Sequence, residues 1–196
     1  MAARREVDDA PESFRAALVA LRSAPVRPEV VLAEAPAPRR LAPWAVALTA
    51  DVVDAGREEM ATGRLVLLHD PAGHEAWNGV FRLVTFLRAA LEPEIVADPM
   101  LPRVGWTWLE EALAARGAAY AAASGTVTRV VSESFGAMAN HPSSAEIEIR
   151  ASWTPLDQDV AAHLTAWSEL LCTAAGLPPV PAGVLLLSNR RGQRGR

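Results

Sequence analysis

The chain has 196 residues, 51% of them hydrophobic and 21% charged, proportions that describe a folded domain with a real core and exclude a disordered polymer. Its 19 basic residues are all arginine and are outnumbered by 23 acidic ones, for a formal net charge of −4. Four of those arginines fall in the last nine residues, SNRRGQRGR. The body of the chain is therefore more acidic than the total, which argues against a broad phosphate-binding face.

Residues 1–12 read as a flexible start. Pro11-Glu12-Ser13 then opens a helix whose apolar stripe is Phe14, Leu18 and Leu21. The helix stops before Pro25, because the residue preceding proline is pushed out of the α region. Five prolines between residues 25 and 43 deny a central strand and predict an extended crossing segment, with room for a short edge strand at 30–33. From Trp44 the period changes to two, with Trp44, Val46 and Leu48 on one side and Ala45, Ala47 and Thr49 on the other. Residues 64–69 and 80–90 form the next strands. Both are apolar on both faces, which predicts central strands covered on both sides.

Residues 92–105 carry three prolines and read as an irregular connection. Thr107-Trp108-Leu109-Glu110 has capping-box spacing, predicting a helix from Thr107 through Arg116 with Gly117 just past its end. Two more strands follow at 126–135 and 146–154, joined by a loop at 139–144. In the last strand Ile147, Ile149, Ala151 and Trp153 alternate with Glu146, Glu148, Arg150 and Ser152. A final helix at 160–175 places Val160, Leu164, Trp167 and Leu171 on one face and ends at Gly176. The connections are too short for parallel crossovers. The expected fold is α+β, a five-stranded, mainly antiparallel sheet with three flanking helices in the order α-β-β-β-α-β-β-α. One domain spans 13–187, and the Arg-rich 188–196 is expected to be disordered.

The segments PAPRRLAPWAVALTADV, TGRLVLLHDPAGHEAWNG, FRLVTF, SGTVTRVVSESFG, AEIEIRASWTP and LLCTAAGLPPVP carry a resemblance. Across residues 13–185 the chain resembles an actinobacterial family of uncharacterised proteins, domain of unknown function 3000. The resemblance implies no activity and no site residues. The element order is also similar to that of type III secretion chaperones, an analogy of topology alone.

His69, Asp70, His74 and Glu75 gather metal- and proton-handling groups around a Pro-Ala-Gly turn. A zinc site needs three or four converging ligands. The Asp-Pro-Ala-Gly chemistry instead predicts a solvent-exposed hairpin loop whose histidines do not converge. Ser132, Glu133 and Ser134 lack the elbow and base that a nucleophilic serine needs. His141 is a loop residue without an evident partner. His163 is expected at the edge of the last helix's packed face. Cys172 is expected to be a small buried residue with a raised pKa; as the single cysteine it excludes an intramolecular disulfide. Neither a phosphate-binding Gly-Lys loop nor a dinucleotide fingerprint is present. Trp106 and Trp108, two residues apart at a predicted helix entry, cannot both face the core with ease. They form the candidate interaction surface.

These readings favour a cytoplasmic protein-interaction or chaperone-like binding module without catalytic activity or cofactor, with a protein partner or a second copy in a homodimer. Two alternatives remain: a small enzyme built on His69, Asp70, His74 and Glu75, and an RNA-associated protein that uses only its Arg-rich tail. No apolar run is long enough to span a bilayer, so no membrane role is expected.

Overall fold

The period-two pattern that begins at Trp44 builds strands, and six of them join into a single sheet with five antiparallel pairings. The computed structural model describes residues 10–179 apart from Arg39, Arg57 and Gln158. The expected flexible start and the 188–196 tail thus fall wholly or largely outside the described residues. In chain order the elements are α1 (Glu12–Ser23), β1 (Val30–Ala35), β2 (Trp44–Val53), β3 (Glu59–His74), β4 (Gly79–Ala90), α2 (Pro93–Ala97), α3 (Leu101–Ala115), β5 (Tyr120–Ser132), β6 (Ser144–Pro155) and α4 (Val160–Ala174). The sheet order is β1-β2-β3-β4-β6-β5.

Among the described residues the sheet has one strand more than the five expected, and there are four α-helices instead of three. The extra strand is β1, which pairs in full from Val30 opposite Val52 to Ala35 opposite Ala47. Its flanking prolines, Pro28 and Pro36, lie outside the paired residues, and an edge strand tolerates that punctuation. The region 92–105 is not irregular either. Pro93 and Pro102 sit in the first turns of α2 and α3, where a missing N–H leaves no bond unmade. Helix α3 therefore starts at Leu101, six residues before the expected cap. Thr107 lies inside it and donates its hydroxyl back to the Arg103 carbonyl (3.1 Å) instead of capping.

The helices pack on one face of the sheet, with α4 at the centre against α1, α3 and strands β2, β3, β4 and β6. Facing α4, the register stacks Leu65 beside Thr85 and Ala151, and Leu67 beside Leu83 and Trp153. Each buried Leu here contributes about 1.5–3 kcal/mol relative to exposure. At Gly63 an added Cβ would lie 2.8 Å from Leu171 Cδ2 and 3.0 Å from Trp167 Cζ2, so only glycine lets α4 come this close. The Trp167 indole N–H donates to Thr85 Oγ1 (2.7 Å), and that hydroxyl donates to the Arg64 carbonyl (2.9 Å). The indole and hydroxyl of these two side chains are thus satisfied in series.

Among the described residues the opposite face carries no α-helix. Strands β3 and β4 are central as expected, but the cover on their second side is partial. Residues Ala35, Ala37, Ala42 and Trp77 pack on Ala47, Val66 and Leu68 at one end. Val84 and Phe86 are left half-buried.

Candidate functional site

The bare face can be built row by row from the strand register. One row runs from Arg64 on β3 to Phe86 on β4, Arg150 on β6 and Thr126 on β5. The next runs Val66, Val84, Ser152, Ser124. These two rows line a hollow of about 490 Å³, within the size range of small-molecule pockets. The hollow is mostly apolar. Val66, Val84 and Phe86 make its floor, and the hydroxyls of Ser152, Ser124 and Thr126 lie on its β6–β5 side. Gly125 lies between Ser124 and Thr126, and an added Cβ there would fall 2.2 Å from the Arg150 carbonyl and 2.9 Å from Trp106 Cζ3. The rear wall is therefore thin, with the Trp106 indole pressed against its far side.

Arg82 is buried behind two of the residues that line the hollow, Ser152 and Ser124. Its Nη1 donates to the Ala122 carbonyl (2.9 Å) and Thr154 Oγ1 (3.0 Å). Its Nη2 donates to Ser152 Oγ (2.7 Å), the Ser152 carbonyl (3.3 Å) and Ser124 Oγ (3.3 Å). The Ala122 carbonyl comes from an irregularity in β5 between Ala121 and Ser124, where Ala122 adopts a positive φ of 49°. Such strained residues persist where the surroundings over-determine them. Every acceptor of Arg82 is a neutral oxygen, and among the described residues no carboxylate pairs with it. Burial pulls its pKa down, yet a guanidinium stays protonated in proteins. Arg64 donates to the Pro36 carbonyl and likewise has no carboxylate partner among the described residues. Arg150 is balanced by Glu148 at 2.8 Å and lies 4.9 Å above the Phe86 ring centre. In an acidic protein, this hollow is locally cationic.

The four residues of the HDPAGHE stretch separate. His69 is not in an exposed loop: it is buried on the helix side of β3, stacked between Phe14 and Phe81. Its Nδ1–H donates to the Val80 carbonyl (3.1 Å), so Nε2 accepts the Ser13 hydroxyl (3.1 Å) and the ring is neutral. Burial lowers its pKa, which makes it a weak base. This pairing joins residues 56 apart in sequence, so no local motif announced it. Asp70 Oδ1 accepts the Ala72 N–H (3.0 Å), as its turn chemistry predicts. His74 Nδ1 accepts the Ala76 N–H (3.2 Å), its ring stacks on Trp77, and Glu75 is exposed. Among the described residues no three His, Cys, Asp or Glu side chains are arranged to hold a metal ion.

Trp106 and Trp108 lie inside α3, both half-buried and packed against the core. Trp106 donates its indole N–H to Glu110 Oε1 (2.9 Å). Trp108 continues an outer stripe with Val104 and Met100, which are 41% and 50% exposed. Ser132 ends β5, and Glu133, Ser134 and His141 lie in the connection to β6. His163 is fully buried, not at an edge. Its Nδ1 accepts the Trp153 indole N–H (3.1 Å), while Nε2 has no hydrogen-bond partner and the nearest carboxylate oxygen, of Asp157, is 4.0 Å away. Burial lowers its pKa. Cys172 is buried as expected, and burial more than any charge pushes its thiol up to about 11.

An antiparallel sheet with helices packed on one face defines an α+β domain. The family described as protein of unknown function (DUF3000) matches residues 10–185, and the chain belongs to it. No curated protein and no solved structure matches the chain. Among the described residues no helix is long and apolar enough to cross a membrane.

Proposed function

We propose that the protein is a binding module without catalytic activity, comparable in role to a chaperone-like domain, and that its working surface is the bare face of the sheet. The observation that carries this reading is the hollow over Val66, Val84 and Phe86. Among the described residues its apolar floor is left open although the same strands are sealed on their other side, and of the two arginines that line it Arg150 is paired with Glu148 while Arg64 has no carboxylate partner among the described residues. Exposed apolar surface rimmed by polar groups marks interaction sites. A photo-crosslinking side chain placed at Thr126 in the cell tests this, with the same group at Glu111 on α3 as the comparison. Adducts concentrated at position 126 are the expected result. Adducts at 111 alone would move the working surface to α3.

That second reading has its own support in the outer stripe of α3, where Met100, Val104 and Trp108 offer apolar area to a second copy. Twofold homodimers are the commonest soluble oligomers. Light scattering of the purified chain and of its Trp108→Ala and Val104→Ser variants separates the two. A dimer mass that collapses in the variants would assign α3 to self-association.

A further inference from the structure

The hollow has a polarity that names its ligand more closely. Its β3–β4 half is apolar, and its β6–β5 half ends in the hydroxyls of Ser152 and Ser124, 3.4 Å apart. Both hydroxyl oxygens already accept from Arg82 Nη2, at 2.7 and 3.3 Å. A hydroxyl whose lone pair receives a donor is left with its own proton to give. One of the two hydroxyls gives its proton to the other across 3.4 Å, which leaves the pair one O–H to donate outward beside a guanidinium whose charge no described carboxylate offsets. Donors backed by a buried cation favour an anion, because charge-assisted hydrogen bonds are the stronger kind. The apolar half fits a hydrocarbon or aromatic body lying over Val66, Val84 and Phe86. A dianionic head suits the site less well, since the neighbouring Arg150 is already neutralised by Glu148.

We infer that the hollow binds a small amphipathic monocarboxylate, its head on the Ser124 and Ser152 hydroxyls in front of Arg82 and its apolar body across Val66, Val84 and Phe86. The inference rests on the reading that the bare face is the working surface and adds the ligand class. Arg82 acts here as a positioning residue, holding the hydroxyl pair in place from behind. The acceptors it leaves behind if removed make it a poor test, because its loss would unsatisfy buried groups on β5 and β6.

The experiment uses the full chain, labelled with nitrogen-15, titrated with decanoate and separately with its neutral analogue decanol. Saturable amide shifts confined to β3, β4, β5 and β6 are expected with decanoate, which binds at least tenfold more tightly than decanol. The double variant Ser124→Ala and Ser152→Ala should bring decanoate down to the decanol level and leave decanol unchanged, because a structural loss would weaken both. Val84→Glu should abolish both, while circular dichroism confirms that it folds. Equal affinity for decanoate and decanol in the native chain would overturn the ligand class. No saturable binding of either, or shifts centred on α3, would overturn it as well. If crosslinks at position 126 persist in that case, the bare face still works, but for another partner. If they too are absent, both readings fall together.

Discussion

The two faces of the sheet are made from the same strands and end in opposite states. Toward the helices, Leu65, Leu67, Leu83, Ile147, Ile149 and Trp153 are sealed, and a series of hydrogen bonds runs from the Trp167 indole through Thr85 to the Arg64 carbonyl. On the other side, one residue along, Val84 and Phe86 stay half-open among arginines and serines. A β-strand turns successive side chains to opposite faces, so one stretch such as FRLVTFLRA writes both surfaces at once. The helix-covered face pays for stability through close packing. The bare face keeps apolar area that folding does not use, and that surplus is what makes it a candidate for binding.

The largest expected difference between the faces is in their tolerance of truncation. Trp153→Ala removes a wholly buried indole and leaves His163 Nδ1 without its donor. It should cost about 3–5 kcal/mol of stability. Phe86→Ser, on the same sheet but half-open, should cost under about 1.5 kcal/mol, near the range of surface changes. Urea unfolding of the two variants measures both. If Phe86→Ser costs as much as Trp153→Ala, the bare face is core and the comparison fails.

How much of this contrast could be read from the sequence follows from how local each feature is. The helix-side residues of β6 were legible because Ile147, Ile149, Ala151 and Trp153 alternate within one strand. The boundary of α3 was misread because Thr107 and Glu110 imitate a cap, while the true start at Leu101 rests on Pro102 lying in a first turn. The density of prolines around strand β1 left only a short edge strand at 30–33 and kept it out of the five-strand count, yet none falls between Val30 and Ala35, so it pairs along its whole length. The hollow was not legible at all. It depends on Phe86 standing opposite Arg64 and Arg150, and Ser152 opposite Ser124, and such register across four strands is a tertiary fact. The burial of His163 was missed for a similar reason: α4 is buried nearly all round, so its apolar stripe did not mark where cover ends.

The helix side should also be the more sensitive of the two to acid. Burial lowers the pKa of His163 and of His69, and both rings are neutral in their hydrogen-bond roles. Above the ordinary histidine value of about 6.5, neither folded nor unfolded chain protonates these rings. As pH falls through that value the unfolded chain takes the proton first, so stability drops until the folded rings protonate too. For His163 the slope can reach about 1.4 kcal/mol per pH unit. Melting temperatures between pH 7.5 and 5.5 should fall in the native chain and fall less steeply in His163→Gln. A native chain whose stability is flat across that window would mean that water reaches the ring and the helix side is not dry.

The smallest effect in energy is the most direct probe of access. Cys172 sits on α4 with its thiol pushed up to about 11 by burial. At pH 8 roughly one thiol in a thousand would be ionised, and the thiolate is the reacting species. Cys172 should therefore resist Ellman's reagent in the folded chain and react on unfolding, its rate following the opening of α4 from the sheet. A thiol placed on the other face gives the comparison: Thr126→Cys in a Cys172→Ala background should react at the rate of a free thiol. Decanoate should then slow the labelling at 126 and leave that at 172 in the native chain unchanged. Were Cys172 to label as fast as Cys at 126, α4 would have to leave the sheet often, and the sealed face would be no more closed than the open one.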